Sequence, residues 1–310
     1  MFYGDLATLR LTDPHRLAAL IWGGRAVLRR ITCRKENEMA HGDVIRREFA
    51  RQAAGFGAKG LTLSSQEYLA WMVRNLPLQR DFRVLDVAAG TGHLSRAIAP
   101  YVQQVVALDM TPEMLEEGRK EAARGELANI SFEQGDAAAL PYGDDSFDMV
   151  VSRLAIHHFR EPDIQIKEMV RVCKAGHVVG IIDLLSPSDG DLLEPYNRLE
   201  RLRDPSHTVA LTREQLAKAM EGAGLSISHA DARDITVDFV RWVETTGTDQ
   251  ETRSAIRREL GREIAGNGRT GMRPFTEDDR LRFMQVWSVF ISTKPPNMHL
   301  HKDRSSLRGL

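Results

Sequence analysis

The sequence predicts an α/β fold built on a doubly wound, mostly parallel sheet, and three observations carry that prediction. Short apolar runs rich in β-branched residues recur through the middle of the chain at intervals of roughly 15–30 residues. Stretches with helical periodicity separate them. The runs are apolar almost throughout rather than alternating, as strands covered on both faces must be. They are Val84–Val87, Val105–Leu108, Ile130–Phe132, Phe147–Val151 and Val178–Ile182, with helices expected over Pro112–Arg124 and Ile164–Val172.

Two helical patterns precede the first strand. One carries Val44, Phe49, Ala53 and Phe56 and runs out in Gly55, Gly57 and Gly60. The other starts after Ser64-Ser65, places Glu67 in its first turn and stops at Pro77, since proline excludes the helical conformation before it. After Asp183 the alternation loosens. Leu211–Gly222 reads as an amphipathic helix, Leu225–Ala230 as a short strand and Asp238–Gly266 as a charged helical insertion. Arg282–Thr293 is apolar on both faces, which suits a strand inserted between two others.

Composition removes several function classes. The 310 residues carry 42 Lys and Arg against 43 Asp and Glu, a net charge of −1, so the chain as a whole has no footprint for nucleic acid. Interleaved aromatic and basic residues of the kind that grip single strands are missing too. Two cysteines, Cys33 and Cys173, cannot make a disulfide framework or a four-ligand zinc site. His299 and His301 sit two apart in a loose tail, and no metal is expected. No apolar run approaches the ~18 residues that span a bilayer. The reading is a cytoplasmic protein.

The ends differ from the middle. Residues 1–38 hold seven basic side chains against four acidic ones. Gly23, Gly24 and Arg25 interrupt their apolar stretch, which argues against a secretory signal. Arg34-Lys35-Glu36 can be encoded as a purine run resembling a bacterial ribosome-binding site, just before Met39. The expectation is translation from Met39, with residues 1–38 an extension outside the native protein and Met1 the alternative start. Asn297–Leu310, after Pro295-Pro296, is expected to be a flexible tail.

The strongest local signal is Leu85-Asp86-Val87-Ala88-Ala89-Gly90-Thr91-Gly92-His93. A strand turns through glycines into a helix, letting backbone approach a ligand and aiming free N–H groups at it. An ordinary strand–helix turn would need no more than that. Two further acids change the weight: Asp109 ends the second strand, 17 residues after Gly92, and Asp136 follows the third. Ligands of open α/β sheets sit beyond the carboxyl ends of the strands, where all three acids lie. Together they describe a pocket for an adenosine-bearing cofactor.

The cofactor's charge discriminates the candidates. A nicotinamide fingerprint needs glycine or alanine three residues after Gly92, where Ser95 stands, and Asp86 would repel a pyrophosphate. A sulfonium with an amino group is suited to that carboxylate through charge-assisted hydrogen bonds of about 1.5–3 kcal/mol. The chemistry points to S-adenosylmethionine. A nicotinamide-dependent oxidoreductase and a non-catalytic S-adenosylmethionine-binding protein remain the alternatives.

On Asp86–His93, Asp109-Met110, Gly135-Asp136-Ala137 and Phe147–Val151, the chain resembles the class I S-adenosylmethionine-dependent methyltransferases, in particular the UbiE-like branch. Ser152–Phe159, with Asn197 and Arg201–His207, is similar to a narrower group of bacterial methyltransferases, the YcgJ-like proteins. The resemblance runs from about Val44 to Pro295 and departs at Lys174-Ala175-Gly176-His177, where the family usually has K-P-G-G. It implies a Rossmann-like, seven-stranded sheet with an antiparallel last strand and a helical cap. The methyltransferase domain would be residues 43–295, with a cofactor-binding core over 82–184 and a cap and substrate region over 185–280. Asp86 would sit near the methionine amino group, with Ala88, Gly90 and Gly92 in the loop beneath it. Asp109 would hold the ribose hydroxyls, Met110 would pack on adenine, and Asp136 and Ala137 would read its amino edge. Phe49 and Phe56 would lid the pocket, against ordinary core packing.

Catalytic candidates follow from the chemistry. Methyl transfer is an in-line displacement that needs orientation, and a base only when the acceptor must lose a proton. His157 and His158, just past the fourth strand, are general-base candidates, and Asp183 ends the next strand on the same rim. Arg153 is a candidate anion anchor for substrate or cofactor, against a structural ion pair. His207, with Arg203 in a turn stiffened by Pro205, is a candidate contact to substrate. The expected acceptor is a small molecule, with carbon methylation of a quinone-like ring suggested by the resemblance alone. The charged face around Arg257, Arg258, Glu259, Arg262 and Glu263 reads as a solvated cap surface, with a homodimer surface the alternative.

Overall fold

The computed structural model describes residues 41–56 and 62–296. Residues 1–40, Gly57, Gly60, His299 and His301 lie outside them, so the expectations for the alternative start and the tail are not addressed. Chain contacts divide the protein at Val44–Ile45, and everything that follows concerns the second unit. It opens inside a helix, α1, whose residues 45–52 belong to it.

Seven long strands form one sheet in the order β3-β2-β1-β4-β5-β8-β6, and a short β7 pairs with β8 outside that path. The five expected central runs become β1 (Arg83–Val87), β2 (Gln104–Asp109), β3 (Ile130–Gln134), β4 (Phe147–Arg153) and β5 (Cys173–Leu185). These five run parallel to one another. β8 (Arg280–Thr293) runs antiparallel between β5 and β6 (Ser226–Asp238), as its two apolar faces implied. β7 is Phe275–Glu277.

Side-chain alternation divides the core. Val84 and Val105 face one layer, with α2 (Gln66–Asn75), α3 (His93–Ile98), α6 (Gly190–Arg203), α8 (Phe239–Thr245) and α9 (Gln250–Ile264). Leu85, Val87, Val106 and Leu108 face the other, with α5 (Pro162–Val172) and α7 (Arg213–Gly222). A further helix, α4 (Pro112–Arg124), buries Leu115 and Ala122 against Ala107 and Phe132. Each fully buried Leu, Val or Phe contributes roughly 1.5–3 kcal/mol, which is why a central strand tolerates so few polar residues.

Three elements differ from expectation. The stretch after Ser186 contains α6, whose Tyr196 and Leu199 are buried; Pro195 inside it hides the helical signal. The sixth strand runs on from Ala230 to Asp238, because polar Asp231, Arg233 and Asp234 pair with β8 while offering no apolar pattern. Asp231 accepts the Trp71 indole N–H at 2.7 Å. Lys174–His177 lies within the start of strand β5, where Gly176 takes a left-handed φ of 78°.

A Cβ at Gly118, inside α4, would collide with the Phe132 ring and stand 3.0 Å from the Thr91 carbonyl. Gly261, inside α9, has open space there. Alanine gains about 1 kcal/mol in helix propensity at either position. Gly261→Ala should therefore stabilise by up to about 1 kcal/mol, whereas overpacking should make Gly118→Ala a net loss of about 1–3 kcal/mol in urea unfolding.

Candidate active site

The carboxyl ends of β1, β2, β4 and β5 open onto one cleft of about 1390 Å³, open solvent at its mouth included. The loop after β1 takes left-handed conformations at Ala88, Gly90 and Gly92, with φ of 55°, 56° and 74°. Glycine meets that requirement freely, and alanine does so at a cost. Gly92 then caps α3.

Asp109 fastens this loop. Its Oδ2 accepts the Gly90 N–H at 2.8 Å and its Oδ1 the Thr111 N–H at 2.9 Å. Burial pushes its pKa up, opposed by those two donors. Asp136 accepts the Ala138 N–H at 2.8 Å and stands exposed at the rim. Asp86 lies behind the loop, 1% exposed, with Oδ2 accepting from Ser95 Oγ at 2.6 Å and Oδ1 buried without a partner among the described residues. Burial pushes it up to about 6, opposed by Ser95 and by the Arg153 charge.

The histidines sit across the cleft. Leu154, with a φ of 53°, turns the chain out of β4 into a short 3-10 helix over Ile156–His158. His157 Nδ1 donates to Asp183 Oδ1 at 2.5 Å, and its backbone N–H reaches Asp183 Oδ2 at 3.2 Å. The first contact orients the ring through Nδ1, and no described residue bonds Nε2. His158 Nδ1 donates to the Ser206 carbonyl at 3.0 Å, and its ring lies 4.2 Å from His157 and 5.0 Å from Phe49. Burial, with the neighbouring His157, pushes His158 down to about 4.

Among the expected residues, Phe49, Phe56, Ala88, Gly90, Asp109, Met110, Asp136, Ala137, Arg153, His157 and His158 line the cleft together. Gly92 lies outside the lining, buried beneath Phe132. His207 is displaced from its expected place at the acceptor. It is 4% exposed, outside the lining, and its Nε2 donates to Asn197 Oδ1 at 2.8 Å, so it braces α6. Asp204 shapes the turn by accepting the Ser206 N–H and Oγ–H. Arg153 donates to the Leu63 carbonyl at 2.6 Å and to Met72 Sδ at 3.3 Å, bracing the entry to α2. Burial lowers it to about 10. His93 joins the lining with its Nε2 3.2 Å from the Phe56 carbonyl.

Sequence reasoning missed Gln52, Glu200, Trp242, Gln285 and Trp287, which complete the wall. Glu200, 1% exposed, accepts from Gln285 Nε2 at 2.7 Å, and burial raises its pKa. Nothing in their spacing relates these positions, which come from α1, α6, α8 and β8.

Comparison with known proteins agrees with this frame. A methyltransferase domain family matches residues 84–176. The uncharacterized methyltransferase YcgJ of Bacillus subtilis is 33% identical over 190 residues, covering 61% of this chain and 75% of that protein. The chain belongs to the class I S-adenosylmethionine-dependent methyltransferases. The solved YcgJ structure superposes with a TM-score of 0.68 at 27% identity, over 74% of this chain and 99% of that one. The ubiquinone/menaquinone biosynthesis C-methyltransferase UbiE of Pseudomonas paraeruginosa is 36% identical over 119 residues, 37% of this chain and 46% of that protein. A Haemonchus contortus phosphoethanolamine N-methyltransferase in complex with S-adenosyl-L-methionine shares the fold, with a TM-score of 0.53 at 18% identity over 79% of this chain and 56% of that one. This methyltransferase takes S-adenosylmethionine as cofactor, which sets aside the nicotinamide alternative. No helix among its described residues is long and apolar enough to cross a membrane.

A histidine held neutral by burial makes the methyltransferase fold acid-sensitive. His158 titrates at about 4 when folded against an ordinary value of 6.5, so between those values the unfolded chain binds more protons. Its contribution is complete above pH 6.5 and is lost as pH falls toward 4. Replacing it by glutamine should flatten the pH dependence of urea unfolding in that window by up to about 1.4 kcal/mol per pH unit. An unchanged slope would show that His158 is already protonated in the fold.

Proposed function

We propose that the enzyme methylates a small molecule that must lose a proton during the transfer, with His157 as general base. One observation carries this reading: a histidine oriented by a buried carboxylate, with its second nitrogen unbonded, lines the same cleft as the glycine loop and strand-end acids. The cofactor supplies an electrophilic methyl group on a positively charged sulfur. The residues fit it, since the Asp86 Oδ1 lone pairs are buried and unspent and a Cβ at Gly90 would meet only the Phe56 ring, at 3.9 Å. In this reading Asp86, Ala88, Gly90 and Gly92 bind the methionine end, Asp86 and Gly92 from behind the wall. Asp109 accepts from the ribose, Met110 covers adenine, and Asp136 with Ala137 reads its edge. Residues 82–184 form the cofactor half and 185–280 the acceptor half.

The chemical work left to the chain is orientation and proton transfer. Asp183 holds the Nδ1 proton, so His157 Nε2 is the atom that accepts the acceptor's proton. The Asp183 charge then stabilises the imidazolium as it forms, which is the advantage of an oriented pair over a lone ring. Phe49, Trp242 and Trp287 exclude water, favouring transfer to the acceptor over hydrolysis. The resemblance to UbiE supports a quinone-like ring methylated at carbon as the first acceptor to try.

Incubation with methyl-labelled cofactor and a metabolite extract of the source organism, followed by mass identification of the labelled product, tests the assignment. His157→Gln should lower turnover by about 10²–10⁴ while S-adenosylhomocysteine affinity stays within about threefold. Asp183→Asn should cost less, because the ring remains but its tautomer is no longer enforced. Full turnover in His157→Gln would remove the base from the mechanism. Asp109→Asn should instead weaken cofactor binding by about 10–100-fold, the loss of a charge-assisted hydrogen bond.

A further inference from the structure

The acceptor side of the cleft carries hydrogen-bond donors that the protein leaves unspent. Trp242 and Gln52 are 5% and 6% exposed, both line the cleft, and neither Trp242 Nε1 nor Gln52 Nε2 has a partner among the described residues. Arg203 lines it too. Its Nε donates to the Trp242 carbonyl at 3.2 Å, and its guanidinium lies 5.3 Å from the Trp242 ring centre. That fixes the head, yet Nη1 stands 3.9 Å from Glu200 Oε2 and 3.7 Å from Asp204 Oδ2, beyond hydrogen-bond reach. Nη2 has no hydrogen bond or ion pair among the described residues.

Glu200 and Asp204 pair electrostatically with the head through Nη1 alone, which leaves Nη2 over. Asp204 spends Oδ1 on the Ser206 N–H and Oγ–H, and Glu200 spends Oε1 on Gln285. The donors also come from elements tied together. Arg51, beside Gln52, donates to the Thr246 carbonyl at 2.5 Å, which seats α1 on the end of α8. Thr248 Oγ1 donates to the Arg203 carbonyl at 3.1 Å, which joins that end to α6. Buried donors are almost always satisfied, so whatever fills this part of the cleft must bring acceptors.

We propose that Arg203, Trp242 and Gln52 form an oxyanion subsite, and that the methyl acceptor is a small molecule carrying a carboxylate or an ionised phenol apart from the protonated group that receives the methyl. The inference rests on the methyltransferase reading above and names its substrate class. An anion accepts from all three groups and stacks its apolar body against Phe49 and Trp287. A neutral ester or ether of the same shape forfeits the charged part of that recognition.

Calorimetry on the full chain saturated with S-adenosylhomocysteine tests this at mildly alkaline pH. The probes are benzoate with methyl benzoate, and 4-nitrophenolate with 4-nitroanisole. At least one anion should bind about tenfold or more tighter than its neutral partner, and which pair discriminates identifies the carboxylate or the phenolate. Arg203→Gln should remove most of that preference. Trp242→Phe, which keeps the aromatic wall and loses only the N–H, should reduce it about threefold or more. Equal binding of both members of each pair, no binding of any probe, or a preference unchanged in both variants overturns the subsite. S-adenosylhomocysteine binding is read separately: its loss in the unaltered chain would sink the wider functional reading, whereas its retention without anion preference sinks the subsite alone.

Discussion

Buried carboxylates at the carboxyl edge of the sheet have to find donors, and that requirement organises the catalytic end of the molecule. An unpaired charge in such a place would cost several kcal/mol. Asp109 meets the requirement with two backbone N–H groups, one from the glycine loop and one from the start of α4. Asp183 meets it with the ring and the backbone N–H of His157. Each acid therefore ties its own strand to a neighbouring loop and so sets the loop's shape. Asp86 is the exception, with one oxygen on Ser95 and the other buried and unspent. A positively charged ligand group nearby would relieve that burial, which is the same force that raises its pKa in the free protein.

The other side of the cleft is assembled differently. α6, α8 and β8 bring aromatic and polar side chains from distant parts of the chain. Their positions are held by hydrogen bonds to backbone, such as Arg203 to the Trp242 carbonyl and Thr248 to the Arg203 carbonyl. The strand-end residues of the cleft fall largely within residues 84–176, which the methyltransferase domain family matches, whereas Glu200, Arg203, Trp242, Gln285 and Trp287 lie beyond them.

His157, His158 and His207, all buried, differ in how far their local sequence reveals their place. His157 and His158 were legible because they follow a strand end by a few residues, and strand ends face the ligand in this architecture. His207 had the same residue type in a turn of similar character, yet it points at Asn197 and braces α6. The difference lies in α6, which Pro195 concealed. With that helix recognised, the turn after it follows a packed element, and a buried histidine there needs a protein partner more than a substrate. Arg153 is similar: an anion anchor by type, it also braces Leu63 and Met72 through Nη2 and Nε from the cleft wall.

The local sequence determined the five central strands, the glycine loop and the acids at the ends of β1 and β2, because burial between two helical layers and left-handed turns each demand particular residues in a row. Those constraints act over a few neighbouring positions and so leave a readable trace. Only the tertiary structure decided that Asp183 would grip His157, that Asp86 would stand behind the loop, and that Gln52, Glu200, Trp242 and Trp287 would share one wall. Such pairings join elements far apart in the chain, and hydrogen-bond geometry between them depends on how the layers pack, which no short pattern encodes.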